Sequence, residues 1–291
     1  MKINLIGAGS DLGVSKDGAD LGPGRLLKYY EKDTRINTII EINKSKDIIK
    51  SYDKKDLEKN LNEINEFNKR LYDEVLATKE DNILPVIIGG DHSIAIASTL
   101  ASIKKEKQLG VIWFDAHGDY NTFETTRTGN LHGLPLAATN GLTKKLNPYH
   151  DGPYYKSENT LILGGRDIDP WEWPVINDNN VKVFSSEELK ENDIKEIVKE
   201  SIKRVTNNFK IGFHMSFDID VIDPEDAPGV SVPAINGISK NLYFKIVDEI
   251  LLYKDYIKSI DIVEYNPTFD DNDKTLNIAH NTLEKILRTF L

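Results

Sequence analysis

Short apolar runs alternate along this chain with longer stretches in which apolar positions recur every three or four residues. The runs Lys2–Ile6, Asn37–Ile42, Leu84–Ile88, Leu109–Phe114, Thr160–Leu163, Val181–Phe184, Ile211–Asp218 and Ile257–Ile262 are rich in Ile, Val and Phe and predict strands. Leu84–Ile88 and Leu109–Phe114 are apolar throughout, which marks a strand buried on both faces, as in a parallel sheet. Between the strands, Leu57–Ala77 sets Leu57, Leu61, Ile64, Phe67, Leu71 and Val75 at helical spacing. Ser93–Lys104, Asp193–Val205, Lys240–Leu252 and Thr275–Leu291 read likewise. Such alternation implies right-handed βαβ crossovers. The predicted fold is α/β, a three-layer αβα arrangement around a mostly parallel, doubly wound sheet of about eight strands. No linker, repeat or low-complexity segment divides it, so residues 1–291 read as a single domain. The charged stretch Lys44–Lys59 reads as a solvated face or loop.

Composition narrows the partners. The chain has 291 residues, 39% of them hydrophobic and 29% charged, with a formal net charge of −10. An acidic surface disfavours nucleic acid and anionic membranes and favours a small cationic substrate. Cysteine is absent, which removes disulfides and thiolate ligands and suits a reducing cytosol. Met1–Gly13 has only a short apolar run, unlike a signal peptide, and no apolar stretch approaches the roughly 20 residues that span a bilayer. A soluble, cytoplasmic protein is expected.

Ligands of open parallel sheets bind beyond the carboxyl ends of the strands, and three polar clusters fall there. Gly89-Gly-Asp-His-Ser93 follows one strand. Taken alone, it reads as a helix start capped by Asp91 or Ser93, with His92 incidental. Asp115, His117 and Asp119 follow the most apolar strand at a spacing of two, which sets them on one side of an extended chain. Crowding such groups at a buried strand end is costly unless a cation satisfies them. Asp218 and Asp220 close a third strand, with His214 and Ser216 beneath them as support or core packing and Asp223 before Pro224 making a turn. Carboxylates with imidazoles and no thiolate suit Mn, Mg, Fe or Zn. Two His and four Asp are rich for one ion and suit two, the arrangement of metal-assisted hydrolysis. His150 and His280 read as surface or packing residues.

These segments resemble the ureohydrolase family of arginases, agmatinases, guanidinobutyrases and formiminoglutamases, as do Gly18-Ala-Asp-Leu-Gly-Pro23, Asp115-Ala-His-Gly-Asp-Tyr-Asn121, Ser216–Pro224 and Asp261-Ile-Val-Glu-Tyr-Asn-Pro267. The resemblance covers nearly the whole chain. It implies two manganese ions per subunit, one on His92, Asp115, Asp119 and Asp218 and the other on Asp115, His117, Asp218 and Asp220, with Asp115 and Asp218 bridging. It also implies that Glu264 pairs with the substrate guanidinium, that Asp220 or its neighbours relay a proton from water, and that the subunits form a trimer or hexamer.

The segment Asn121–Gly133 is similar to the arginase version in pattern and length. By that resemblance Asn121, Thr126 and Thr128 hold an α-carboxylate, Asp169 faces an α-amino group, and His132 shuttles a proton to the leaving amine. The expected reaction is L-arginine to L-ornithine and urea. Gly229-Val-Ser-Val-Pro233 departs from the arginase Gly-Thr-Gly-Thr-Pro, and its Val232 replaces a hydroxyl in a manner closer to formiminoglutamases. Agmatinase, guanidinobutyrase and formiminoglutamase are therefore the competing activities. A non-catalytic, metal-stabilised assembly protein is the competing class. Zinc deacetylases have a similar sheet but a single catalytic zinc, which the surplus of ligands argues against.

Overall fold

The computed structural model describes residues 1–80 and 82–291. Eight strands form one sheet: β1 (Lys2–Gly9), β2 (Ile36–Asn43), β3 (Ile83–Gly89), β4 (Leu109–Phe114), β5 (Thr160–Gly165), β6 (Lys182–Ser185), β7 (Gly212–Asp218) and β8 (Ile257–Val263). Their order is β2-β1-β3-β8-β7-β4-β5-β6, and every adjacent pair is parallel. All the carboxyl ends therefore lie along one edge.

The helices are α1 (Gly22–Leu27), α2 (Leu61–Thr78), α3 (Ala95–Glu106), α4 (Pro135–Thr139), α5 (Glu172–Asp178), α6 (Ser186–Glu191), α7 (Ile194–Val205), α8 (Lys240–Leu251) and α9 (Lys274–Phe290). Two apolar layers result. One packs α1 and α6 to α9 against the sheet, and the other packs α2 to α5 against the opposite face. Strand β4 shows how: Ile112 and Phe114 enter the first layer, while Leu109, Val111 and Trp113 enter the second. Successive side chains point to opposite faces, so a strand between two helical layers must be apolar at every position.

Three sequence expectations shift. Residues 57–60 do not join α2, because Asn60 adopts the left-handed conformation (φ 61°) and turns the chain there. Residues 44–59 are a loop, as expected, but Lys44 and Lys50 point inward onto buried Asp11. His150 and His280 have partners, the hydroxyls of Tyr72 (3.1 Å) and Tyr30 (2.9 Å). No helix among the described residues is long and apolar enough to cross a membrane.

Candidate metal centre

The polar clusters converge at the carboxyl ends of adjacent central strands. Chain leaving β3 carries Asp91 and His92; β4 leads into Asp115, His117 and Asp119; β7 ends at Asp218, with Asp220 two residues on; β8 leads into Glu264. His92 Nδ1 lies 3.1 Å from Asp115 Oδ2, 3.1 Å from Asp119 Oδ2 and 2.9 Å from Asp218 Oδ2. His117 Nδ1 lies 3.0 Å from Asp220 Oδ2 and 3.4 Å from Asp115 Oδ1. Asp115 thus belongs to two groups of candidate ligands, one oxygen in each.

These donors fit a metal. His92 Nδ1, Asp115 Oδ2 and Asp119 Oδ2 are buried with no hydrogen bond of acceptable geometry, close as they are. Atoms that face a common point without bonding each other are placed as ligands around a cation are. Imidazole and carboxylate without thiolate suit manganese, iron, cobalt or zinc. Without a cation the cluster strains toward neutrality. Burial, then the neighbouring Asp220 and Asp115, push the Asp218 carboxyl well up. Burial and Asp115 raise Asp119 to about 6. Burial opposes charge on His92, yet the three carboxylates around it hold its pKa well above the usual imidazole range.

The scaffold aims the candidate ligands. Asp91 accepts from Ser93 N (2.8 Å) and Gly13 N (2.9 Å), which fixes the turn bearing His92. The His92 ring stacks on Trp113 with centroids 4.0 Å apart. Its Nε2 meets Ser216 Oγ at 2.8 Å, leaving Nδ1 for the ligand cluster. Ser216 also donates to Asp261 Oδ1 (2.5 Å), whose other oxygen bonds His214 Nε2 (2.9 Å) and Ser98 Oγ (2.6 Å). Ser216 thus supports a candidate ligand directly, whereas His214 acts two bonds away. Asp223 makes a loop, accepting from Glu225 N and Gly237 N. Asp119 (φ 48°) and Glu264 (φ 65°) both hold left-handed backbone, a conformation that non-glycine residues keep only where the surroundings impose it. Here Asp119 O accepts from Leu136 N and Ala137 N, and Glu264 N donates to Gly90 O.

Beside the cluster lies a cavity of about 200 Å³, lined by His117, Asp119, Asn121, Thr126, Thr128, Asp169, His132 and Val232 among others. All four residues expected to hold the amino-acid end of a substrate are on that wall. Asn121 Nδ2 donates to Asp169 Oδ2 (3.1 Å), tying two of them together. Glu264 sits behind the wall: Oε1 accepts from His92 N (2.8 Å) and meets His132 Nδ1 (2.9 Å), while Oε2 is buried and free.

Two residues at the candidate site escaped the sequence reading. Arg166 donates to the carbonyls of Asp220 (2.8 Å), Val221 (2.9 Å) and Ala234 (2.8 Å), clamping the loop that carries Asp220. Glu172 lines the cavity and accepts from Tyr120 N (2.8 Å) and Asp169 N (2.9 Å). Burial raises its pKa to about 8. Arg166 has no partner close in sequence that would have signalled its role, and the contact of Glu172 with Tyr120 N spans 52 residues.

The arginase-family model matches residues 1–288. The arginase of Staphylococcus aureus (strain COL) is 36% identical over 286 residues, covering 95% of this chain and 94% of its own. The crystal structure of arginase from Bacillus subtilis superposes with a TM-score of 0.86 at 32% identity, covering 99% and 98% of the two chains. Entamoeba histolytica arginase, solved in complex with L-ornithine, gives 0.85 at 32% identity, covering 99% and 97%. The chain therefore belongs to the arginase family, the ureohydrolases that act on guanidino carbon–nitrogen bonds.

Proposed function

We propose that this enzyme hydrolyses L-arginine to L-ornithine and urea with two manganese ions. His92, Asp115, Asp119 and Asp218 would hold one, and Asp115, His117, Asp218 and Asp220 the other. What the ion pair supplies when bound is a water nucleophilic at neutral pH. The observation that carries the substrate choice is the cavity wall. Asn121, Thr126 and Thr128 bring an amide and hydroxyls to it, and the carboxylate of Asp169 is hydrogen-bonded to Asn121. His117 and Asp119 of the ligand cluster line the same cavity.

Each residue then has a task. The amide of Asn121 and the hydroxyls of Thr126 and Thr128 donate to a substrate α-carboxylate, and Asp169 accepts from the α-amino group. Glu264 Oε2, buried and free, accepts one guanidinium N–H. Its Oε1 is engaged by His92 N and His132, so a two-oxygen grip on the guanidinium would require His132 to move. Asp220 faces His117 within the cluster, placed to take up the proton released from water. His132, on the wall, gives a proton to the departing amine. Burial disfavours its charge, but Glu264 raises its pKa above the ordinary value, which favours a protonated ring.

Val232 brings no hydroxyl to the wall, which keeps formiminoglutamate in the comparison. Manganese-loaded protein offered L-arginine, agmatine, guanidinobutyrate and formiminoglutamate should release urea chiefly from L-arginine and little formamide from formiminoglutamate. Turnover of agmatine with none of arginine would overturn the substrate assignment.

A further inference from the structure

Lys59 carries a charge that the fold has buried without a counter-charge. The residue is 4% exposed. Among the described residues its ammonium pairs with no carboxylate, and Asp56 and Asp53 act on it only through space. Lys79, equally buried, differs: its Nζ has Glu106 at 3.1 Å. Burying an unpaired ammonium is costly, and burial pulls the Lys59 pKa down. Its Nζ donates to the main-chain carbonyl of Thr128.

That carbonyl belongs to the turn whose Thr126, Thr128 and Asn130 form one wall of the site cavity. The turn is seated tightly on the Lys59 segment. Gly129 is left-handed (φ 64°), and a Cβ there would stand 2.5 Å from Asp56 O and 3.0 Å from Lys59 Nζ. Elsewhere the lining includes Asp119, Asp167, Asp169 and Glu172 and no lysine or arginine. A substrate carboxylate would find no lysine or arginine on those walls. Behind the Thr126–Asn130 turn, the buried Lys59 ammonium supplies a positive charge whose field is little screened by water.

We propose that Lys59 is a positioning residue that pins this turn and makes it selective for a carboxylate, so that the site takes a guanidino compound bearing a carboxylate over its decarboxylated counterpart. The proposal deepens the arginine reading and rests on it for the identity of the substrate class.

The test measures binding of L-ornithine and putrescine, which differ only by the carboxylate, to manganese-loaded wild type, Lys59→Met and Lys59→Gln by calorimetry. Arginine and agmatine kinetics accompany it. Lys59→Met keeps the apolar stem, and Lys59→Gln keeps a neutral donor. Loss of a hydrogen bond to a charged group predicts that ornithine binding and the arginine KM weaken by about tenfold or more, with putrescine binding within about twofold. The arginine kcat should change less than its KM. A merely structural role would weaken both ligands alike, and that result in either variant overturns the proposal. So does wild type that binds the two ligands equally. Wild type that hydrolyses no arginine, yet prefers ornithine in a Lys59-dependent way, would sink the arginase reading and leave this one standing.

Discussion

His132 Nδ1 lies 2.9 Å from Glu264 Oε1, so a residue on the cavity wall is tied to one behind it. Burial opposes charge on His132, but Glu264 first, then Asp119 and Asp91, raise its pKa. A raised imidazole pKa gives stability that is complete below the unfolded value, about 6.5, and is lost as pH rises through the folded value. In metal-free protein the His132 ring, followed by NMR, should therefore titrate above 6.5. In Glu264→Gln it should titrate lower, because burial then acts with less opposition. Urea release should fall by about 100-fold or more, the usual contribution of a placed acid. An unchanged His132 titration would refute the coupling.

Asp115 reaches both candidate ligand groups, while His117 belongs to one. Asp115→Ala should therefore disturb both ions and His117→Ala only one. Metal analysis after dialysis is expected to give fewer than one manganese per chain for Asp115→Ala and close to one for His117→Ala, against about two for wild type. Equal loss from both variants would contradict the division into two groups that share Asp115.

Ser216 touches no candidate metal position, yet its Oγ is 2.8 Å from His92 Nε2 and also donates to Asp261. Removing the hydroxyl frees the ring to turn and leaves a buried carboxylate oxygen short of a donor. Ser216→Ala should weaken manganese affinity by about 10–100-fold with the ligand set complete, the usual cost of losing a supporting contact. Titration with a metal-sensitive dye measures it; wild-type affinity would show that Trp113 stacking alone orients the ring.

How much of this was legible beforehand follows the physics of each signal. β4 falls at the expected residues because burial on both faces demands an apolar run, and such a run is visible in a chain. The short helices α1, α4, α5 and α6 were not anticipated, since five to seven residues make too little periodic pattern. The capping box of α6, Ser185 with Glu188, was present but unused. In the site, Asp115, His117, Asp119, Asp218 and Asp220 stood out because polar groups ending an apolar strand are anomalous. Lys59, Arg166 and Glu172 did not. Each acts on main-chain atoms of a segment distant in sequence, and no local spacing encodes which carbonyl or amide a side chain will meet.

The crowded carboxylates and imidazoles also predict how the metal-free protein responds to pH. The folded pKa values of Asp119, Asp218 and Asp220 are raised, first by burial, and those of His92 and His117 are raised by neighbouring carboxylates against burial. Asp115, held down by His117 and His92 despite burial, opposes the trend. A group with a raised folded pKa binds more protons folded than unfolded, so stability falls as pH rises through that window. Metal-stripped protein should lose thermal stability from about pH 5 to pH 8, and manganese should restore it most at the upper end. A metal-free melting temperature that rises over this range would contradict the raised values.

The last prediction concerns where the strand ends meet. Gly90 donates to Ala8 O (2.9 Å), its carbonyl accepts from Glu264 N (2.8 Å), and the next amide, Asp91 N, donates to Ser10 O (2.9 Å). A Cβ on Gly90 would stand 1.8 Å from Ser10 O, a main-chain atom with no rotamer through which to yield. Gly90→Ala must therefore part β1 from β3 and move His92 and Glu264 with them. Overpacking of this kind costs about 3 kcal/mol or more, a fall in melting temperature on the order of 6–12 °C for a chain this size. Manganese affinity should fall with it. Gly24 is the control: it lies in α1, and a Cβ there has only Glu41 Oε2 near, at 3.9 Å. Gly24→Ala should stabilise by about 0.5–1 kcal/mol through helix propensity and leave the metal site untouched. If both variants melt with wild type, the close approach of β1 to the His92 turn is not what holds the site's geometry.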